Sequence, residues 1–252
     1  MNINKLENEI AVITGASRGI GRDIALTFAK HGASLLLTCF KDNCALNAVA
    51  EEARSYGVKV ITKLGDVSDQ QFCASLLKEC KDAYGDATIL VNSAGTITRT
   101  KFEELEQAEW NRVLDVNLHG SYNMCRQFIP GMKEMNKGSV ILLTSQMAFM
   151  PHPSASPSYE VSKAGITALV RHLAFQYAPY NVRINSLAPG SIDTDMPKSM
   201  SELAREKLRN GVPMKRLGEP EEVAQCALFL ASGMSSYVTG TTIHVNGGSL
   251  MQ

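Results

Sequence analysis

Seven short apolar runs rich in β-branched residues, at 9–13, 33–39, 58–64, 88–92, 139–144, 182–187 and 241–245, alternate with helix-length amphipathic segments. No other feature of the chain restricts its fold as tightly. Strand and helix in strict turn produce parallel strands, because each crossover helix carries the chain back to the edge where the next strand begins. The runs are near-continuous, as in "SLLLTC" and "SVILLT", so both faces of each strand expect cover. The expectation is a doubly wound, Rossmann-like α/β fold: a seven-stranded parallel sheet flanked by helices.

The 252 residues are 44% hydrophobic and 20% charged, enough to bury a full core, and no repeat, linker or low-complexity tract divides them. One domain over 1–252 is expected. Because 25 Lys and Arg balance 25 Asp and Glu, no basic face for nucleic acid is foreseen. Cys39, Cys44, Cys73, Cys80, Cys125 and Cys226 form no C-x-x-C pair and no histidine stands at a ligand spacing, which reads as reduced thiols and no metal. The opening "MNINKLENEI" lacks the apolar run of a signal peptide, and no stretch of 18 apolar residues follows. A cytoplasmic protein with no membrane partner is expected.

The first run passes through "TGASRGIG", Thr14 to Gly21, into the helical "RDIALTFAKHG". Gly15, Gly19 and Gly21 permit a tight turn and a close backbone approach to a pyrophosphate, and the helix start offers unpaired N–H groups and the positive end of its dipole. An ordinary strand-to-helix turn also uses glycine, and the spacing here is G-x-x-x-G-x-G rather than G-x-G-x-x-G. Position decides between them. The loop lies in the first β-α unit, and "NSAG", Asn92 to Gly95, follows the fourth run beside the same crevice, so a dinucleotide site is expected. Two loops rich in Pro and Ser, 145–158 and 189–200, also follow strands and are placed to meet ligands.

The fifth run ends at Ser145, and the next helix opens on "YEVSKAG", which puts Tyr159 and Lys163 four residues apart on one helical face. A phenol of pKa about 10 is a poor acid or base at neutral pH; a cation about 4 Å away, at an effective dielectric of about 20, supplies the roughly 4 kcal/mol needed to bring it there. Ser145 is suited to hold a carbonyl or hydroxyl by hydrogen bond, and Asn117, in "LDVNLHG", to hold a water linking Lys163 to solvent. Each also has a plain alternative: a strand-end serine, a helix-interior asparagine, a solvated lysine.

"TGASRGIG", "GDVSD", "NSAG", "LDVNL", "LLTS", "YEVSK" and "NSLAPGSIDTDM" stand in the order and spacing of the short-chain dehydrogenase/reductase family, which the chain resembles over nearly its whole length. The tail from Val212 to Gly248 resembles the branch containing 3-oxoacyl-acyl-carrier-protein reductases and polyol, sugar and steroid dehydrogenases. The resemblance implies sheet order 3-2-1-4-5-6-7 and a tetrad of Asn117, Ser145, Tyr159 and Lys163, with Tyr159 exchanging the proton while a nicotinamide transfers hydride. It further implies that Lys163 and Tyr159 meet the nicotinamide ribose, and that Ser17 and Ile20 join the glycine loop's contacts. Asp66 and Val67 meet the adenine, Asn92, Ala94 and Gly95 the neighbouring ribose and phosphate, and Pro189, Gly190, Ile192 and Thr194 the nicotinamide. A homotetramer is implied too, with helices around 102–136 and 155–178 in one interface and the last strand near another. The chain departs from the family at Ser93, where a second asparagine is usual, and in the 14 residues from Ser145 to Tyr159, one more than is common.

NAD-preferring members of that family carry an Asp at the end of the second strand; here, in "LLLTCFKDN", the position is Cys39. A carboxylate about 4 Å from a 2′-phosphate would cost about 4 kcal/mol at an effective dielectric of about 20, so its absence admits NADP(H). Arg18 in the glycine loop, with Lys41 as a second contact, supplies positive charge for the phosphate, and Phe40 covers the adenine. NADP(H) is the expected preference, with NAD(H) possible. For the substrate, Ser145 and Tyr159 hold the reacting oxygen, while Met147, Phe149 and Met150 in one loop and Met196 and Met200 in the other line an apolar pocket or pack as a lid. His152 is a further candidate contact or a solvated loop residue. The arginines with which acyl-carrier-protein reductases are expected to meet their acidic partner correspond to Asn136 and Tyr180, with Lys133, Lys137 and Arg171 nearby. The leading expectation is an NADP(H)-preferring oxidoreductase interconverting a small-molecule carbonyl and a secondary alcohol. An NAD-linked polyol or sugar-acid dehydrogenase is the alternative, and a catalytically silent cofactor-binding protein is the alternative of another class.

Overall fold

The computed structural model describes residues 5–152, 155–194 and 201–251. Strands β1 (Ile10–Thr14), β2 (Ser34–Cys39), β3 (Val60–Leu64), β4 (Ile89–Asn92), β5 (Gly138–Leu143), β6 (Val182–Pro189) and β7 (Thr242–Val245) form one parallel sheet in the order β3-β2-β1-β4-β5-β6-β7. All seven expected strands are present, with ends within two residues of the sequence reading. β6 outruns its apolar stretch because it serves two neighbours: Val182–Leu187 pairs with β5 and Ser186–Pro189 with β7, ending at a proline that has no N–H to continue the ladder.

Helices α1 (Gly19–Lys30), α2 (Asn43–Arg54), α3 (Gln70–Tyr84), α4 (Gln107–Leu114), α5 (Gly120–Glu134), α6 (Pro157–Tyr177), α7 (Glu202–Gly211) and α8 (Pro220–Ala231) make the crossovers. The twofold alternation of the strands sorts the core into two layers. Ala11, Ile13, Leu35, Leu37, Val91 and Ile141 pack with Ile24 and Phe28 of α1 and Val223 and Leu228 of α8. Val12, Leu36, Leu90, Val140 and Leu142 face the other way, against Leu76 of α3, Phe128 of α5 and Val170 of α6. Asp42 and Asp69 start α2 and α3 by accepting hydrogen bonds from the Ala45 and Gln71 N–H groups at 3.1 and 2.8 Å. Between α4 and α5 the helix takes one π turn, Asp115–His119, which carries Asn117. Among the described residues no helix is long and apolar enough to cross a membrane.

From β1 the chain winds outward to β3, then returns to β4 on the other side of β1. At this reversal the loops leaving β1 and β4 close on each other: a Cβ on Gly15 would lie 2.9 Å from the Ala94 Cα. Thr14 Oγ1 accepts from the Ala94 N–H at 3.0 Å and donates to Asn92 Oδ1 at 2.5 Å. The Asn92 amide donates to Ser121 Oγ at 2.8 Å, and Ser121 donates to the Asn117 carbonyl at 2.6 Å. The glycine loop is thereby tied to β4 and to the π turn.

A Cβ on Gly21 would stand 2.2 Å from the Gly15 carbonyl oxygen, a backbone atom that cannot move aside cheaply, whereas one on Gly233 meets nothing within 4 Å. Gly21→Ala is expected to cost about 1–3 kcal/mol, as overpacking does. It should lower Tm by roughly 3–10 °C in a chain of this size. Gly233→Ala should leave Tm nearly unchanged; thermal denaturation of the pair checks both.

Candidate active site

Two cavities open at the carboxyl edge of the sheet and share Ile20, Ser93, Gly95, Thr96 and Thr194 in their walls. The larger, about 730 Å³, runs from the glycine loop across the ends of β2 and β3, and gathers Gly15, Ser17, Arg18, Gly19 and Gly21 with Cys39, Phe40, Lys41, Asp66, Val67 and Ala94. The smaller, about 320 Å³, holds Ser145, Met147, Tyr159, Lys163, Pro189, Gly190 and Ile192. The sequence had singled out all of these residues, and the fold gathers them in these two walls.

The larger cleft fits an anionic dinucleotide. Gly15 and Gly19 adopt φ of +66° and +53°, which a side chain would strain, and the first turn of α1 contains no acidic residue. Thr38 Oγ1 lies buried behind the cleft wall without a hydrogen-bond partner. Asn92 is the exception among the expected contacts. It is buried and lines neither cavity, because both ends of its amide are spent on Thr14 and Ser121; it braces the loop from beneath.

The missing acid at Cys39 is not the whole account of that end of the cleft. Asp42, three residues on, also lines it, and its Oδ2 accepts from Arg18 Nη2 at 2.7 Å. Its other oxygen is held by the Ala45 N–H as the cap of α2, so the carboxylate is anchored. Arg18 therefore faces an internal anion, while Lys41 lies over the Phe40 ring, 5.7 Å from its centroid. The sequence signal for Asp42 was its place just before a helix; its reach to α1 was not visible there.

In the smaller cavity, Ser145 Oγ accepts from the Met147 N–H at 3.1 Å, and the Tyr159 phenol lines the same wall. Burial pushes the Tyr159 phenol up, and the nearby Ser145 hydroxyl only partly offsets it. Burial also lowers Lys163, to about 8. Its ammonium donates to the Leu143 carbonyl at 2.7 Å and lies 5.7 Å from the centre of the Tyr159 ring. The expected depression of the phenol by the lysine is thus absent from this state: Nζ is aimed at a backbone oxygen, and desolvation acts on both groups against ionisation. Asn117 is fully buried, its side chain clamping the Thr96 N–H and carbonyl at 2.8 and 2.9 Å and donating to Ser162 Oγ at 2.9 Å. It shapes the wall rather than offering a free amide.

Phe149, an expected substrate contact, lines neither cavity; its ring packs edge-on against His244, centroids 4.9 Å apart. Met150 lies outside the walls as well, His152 lines the smaller cavity, and Met196 and Met200 lie outside the described residues. Gln146, Thr144 and Arg99, none of them singled out by the sequence, complete the wall. Thr144 lies within "LLTS" and Gln146 in the loop after it, but nothing in the spacing marks either, or Arg99, as a contact.

Burial of Lys163 has a stability consequence. Its folded pKa of about 8 lies below its ordinary 10.5, so between those values the unfolded chain binds more protons and stability rises with pH. At pH 7 the whole penalty, on the order of 3 kcal/mol, is present. Lys163→Met is expected to be at least as stable as the parent at pH 7. Its advantage should shrink by about 2–3 kcal/mol by pH 10 in urea unfolding at the two pH values.

Known proteins resemble this chain in sequence and in fold. The family model described as Enoyl-(Acyl carrier protein) reductase matches residues 15–249. The 3-oxoacyl-acyl-carrier-protein reductase of Chlamydia muridarum is 36% identical over 243 residues, 96% of this chain and 98% of that one; that of Thermotoga maritima is 35% identical over 97% and 98%. The crystal structure of a 3-oxoacyl-acyl-carrier-protein reductase from Brucella melitensis superposes with a TM-score of 0.93 at 33% identity, covering 100% of this chain and 94% of that one. A candidate gluconate dehydrogenase from Agrobacterium tumefaciens superposes at 0.94 with 30% identity over 100% of both. The chain belongs to the short-chain dehydrogenase/reductase family of NAD(P)-dependent oxidoreductases.

Proposed function

We propose that the chain is one catalytic domain that reduces a carbonyl to a secondary alcohol, or runs the reverse, with NADP(H) preferred. The observation that carries this reading is that Ser145, Tyr159 and the buried Lys163 line one cavity, which shares a wall with the dinucleotide cleft. The cleft residues named above would hold the dinucleotide, whose nicotinamide, when bound, supplies or accepts the hydride. Ser145 Oγ orients the substrate oxygen by hydrogen bond. Tyr159 Oη gives that oxygen its proton as the carbonyl carbon gains hydride, and takes it back in the oxidation. Lys163 stabilises the phenolate left behind, a role that offsets the upward push of burial once charge develops on Oη. A cofactor-binding protein without turnover has no use for these three groups in one cavity.

The relatives named for 3-oxoacyl chains on acyl carrier protein make that the first substrate to test. The positions expected to meet the acidic partner are Asn136 and Tyr180, but Lys133 lies over the Tyr180 ring at 4.4 Å and keeps a cation there. Lys137 is engaged with Glu9 at 2.7 Å. The second reading, a polyol or sugar-acid dehydrogenase, is favoured by the polar wall of Gln146, His152 and Arg99. For NADP(H), Arg18 is the principal support. Asp42 works against it, and NAD(H) is accepted more weakly. A cytoplasmic homotetramer is part of the same proposal.

Tyr159→Phe is expected to lower kcat at least about 10³-fold with nucleotide binding retained, read by nicotinamide absorbance and by titration. Arg18→Ala should weaken NADPH more than NADH. Asp42→Asn keeps the helix cap and removes the charge, so the NADPH:NADH ratio of kcat/KM should rise about 5- to 10-fold, less at high salt.

A further inference from the structure

Gln146 follows Ser145 directly and lies in the wall of the smaller cavity. It is 93% buried, and its side-chain oxygen, Oε1, has no hydrogen-bond partner. An amide oxygen removed from water with nothing to accept from is costly, on the order of 1–3 kcal/mol, and such groups are uncommon in folded chains. Room for this oxygen is made by Gly190: a Cβ there would stand 3.0 Å from Oε1 and 2.7 Å from the Asn246 Cβ. Gly190 also lines the cavity, so the unpaired acceptor lies just behind the wall of the space beside Ser145 and Tyr159. The terminal amide turns on a soft torsion, which lets the oxygen meet a donor entering that space.

We infer that Gln146 is a specificity-determining residue that accepts a hydrogen bond from a hydroxyl next to the reacting carbonyl, so the preferred substrates are hydroxyketones and their polyol products rather than plain ketones. The proposal rests on the carbonyl-reductase reading and narrows it. A 3-oxoacyl chain brings no such donor: its neighbouring carbon carries only C–H bonds. A substrate hydroxyl satisfies Oε1, and a ketone lacking it leaves that oxygen unpaired. That is the kind of difference an enzyme site converts into strong discrimination. Thr144, whose Oγ1 is likewise buried without a partner in the same wall, flanks Ser145 on the other side and is able to donate or accept for a second polar group.

The test compares 1-hydroxy-2-butanone with 2-butanone, and a 3-oxoacyl thioester, as substrates of the intact protein with NADPH. Wild type should favour the hydroxyketone in kcat/KM by roughly 10- to 100-fold over the plain ketone. Gln146→Leu should reduce that preference to within about threefold, mainly through KM for the hydroxyketone, and Gln146→Glu, which keeps an accepting oxygen, should retain it. A wild-type preference below threefold, or one that Gln146→Leu leaves intact, overturns the inference. So does a Gln146→Leu effect that falls equally on all ketones through KM for NADPH, which would assign the acceptor to the nucleotide. If Gln146→Leu does not fold, the wild-type ratio and Gln146→Glu still decide. Absence of turnover with every carbonyl, the thioester included, instead overturns the carbonyl-reductase reading on which this one stands.

Discussion

The hydrogen bond from Thr14 Oγ1 to Asn92 Oδ1 is the contact on which the site depends. It spans the strand pair at which the sheet reverses its winding order, where two loops must leave in opposite directions without a gap. Thr14 also receives the Ala94 N–H, and Asn92 passes its own amide to Ser121, so a buried polar chain reaches from the glycine loop to the π turn. Every donor and acceptor named in it is matched, which is how a polar network in a dry interior fixes geometry instead of loosening it. The cleft above can then be lined by glycines, because its shape is held from below.

The chemistry of the smaller cavity follows from burial. Lys163 is buried and Tyr159 half-buried in the cavity wall, and each is pushed toward its neutral form. The cost is borne by the fold and falls on the residues whose charge changes in the reaction. Gly95 brings this strain close to the nucleotide side: a Cβ on it would come within 3.3 Å of Asn117 Oδ1 and 3.4 Å of Lys163 Nζ. The lysine thus stands against the shared wall of the two cavities, in contact range of whatever occupies either.

Much of this was legible in the sequence, for stated reasons. Buried parallel strands leave continuous apolar runs, and a glycine loop between strand and helix leaves a pattern, so the sheet and the large cleft could be read directly. Tyr159, Lys163 and Ser145 sit at spacings that a helix and a strand end convert into proximity. What stayed hidden depends on groups that have no letter or on contacts that only the tertiary fold creates. The carbonyl of Leu143 that captures Lys163 is backbone. Asp42 meets Arg18 across 24 residues because α2 starts beside α1. Asn92 looks like a ligand contact until its partners on β1 and α5 are known, and Phe149 turns to His244 on the last strand. The π turn is equally silent, since five residues are too few for their apolar spacing to distinguish it from α-helix.

That turn has a consequence for how the surrounding helix tolerates change. An extra residue within one turn rotates everything after it by about 100° relative to an uninterrupted helix. The long segment from Gln107 to Glu134 is therefore two screws of different phase, α4 set against α6 and α5 set against α3. Deleting one residue between Asp115 and His119 would restore an ideal ladder of backbone hydrogen bonds and, by the same stroke, swing Ser121 off Asn92 and Gly120 off Val67, against which a Cβ would already come within 2.6 Å. Regular local structure and a working cleft are mutually exclusive here, and the fold keeps the irregular helix.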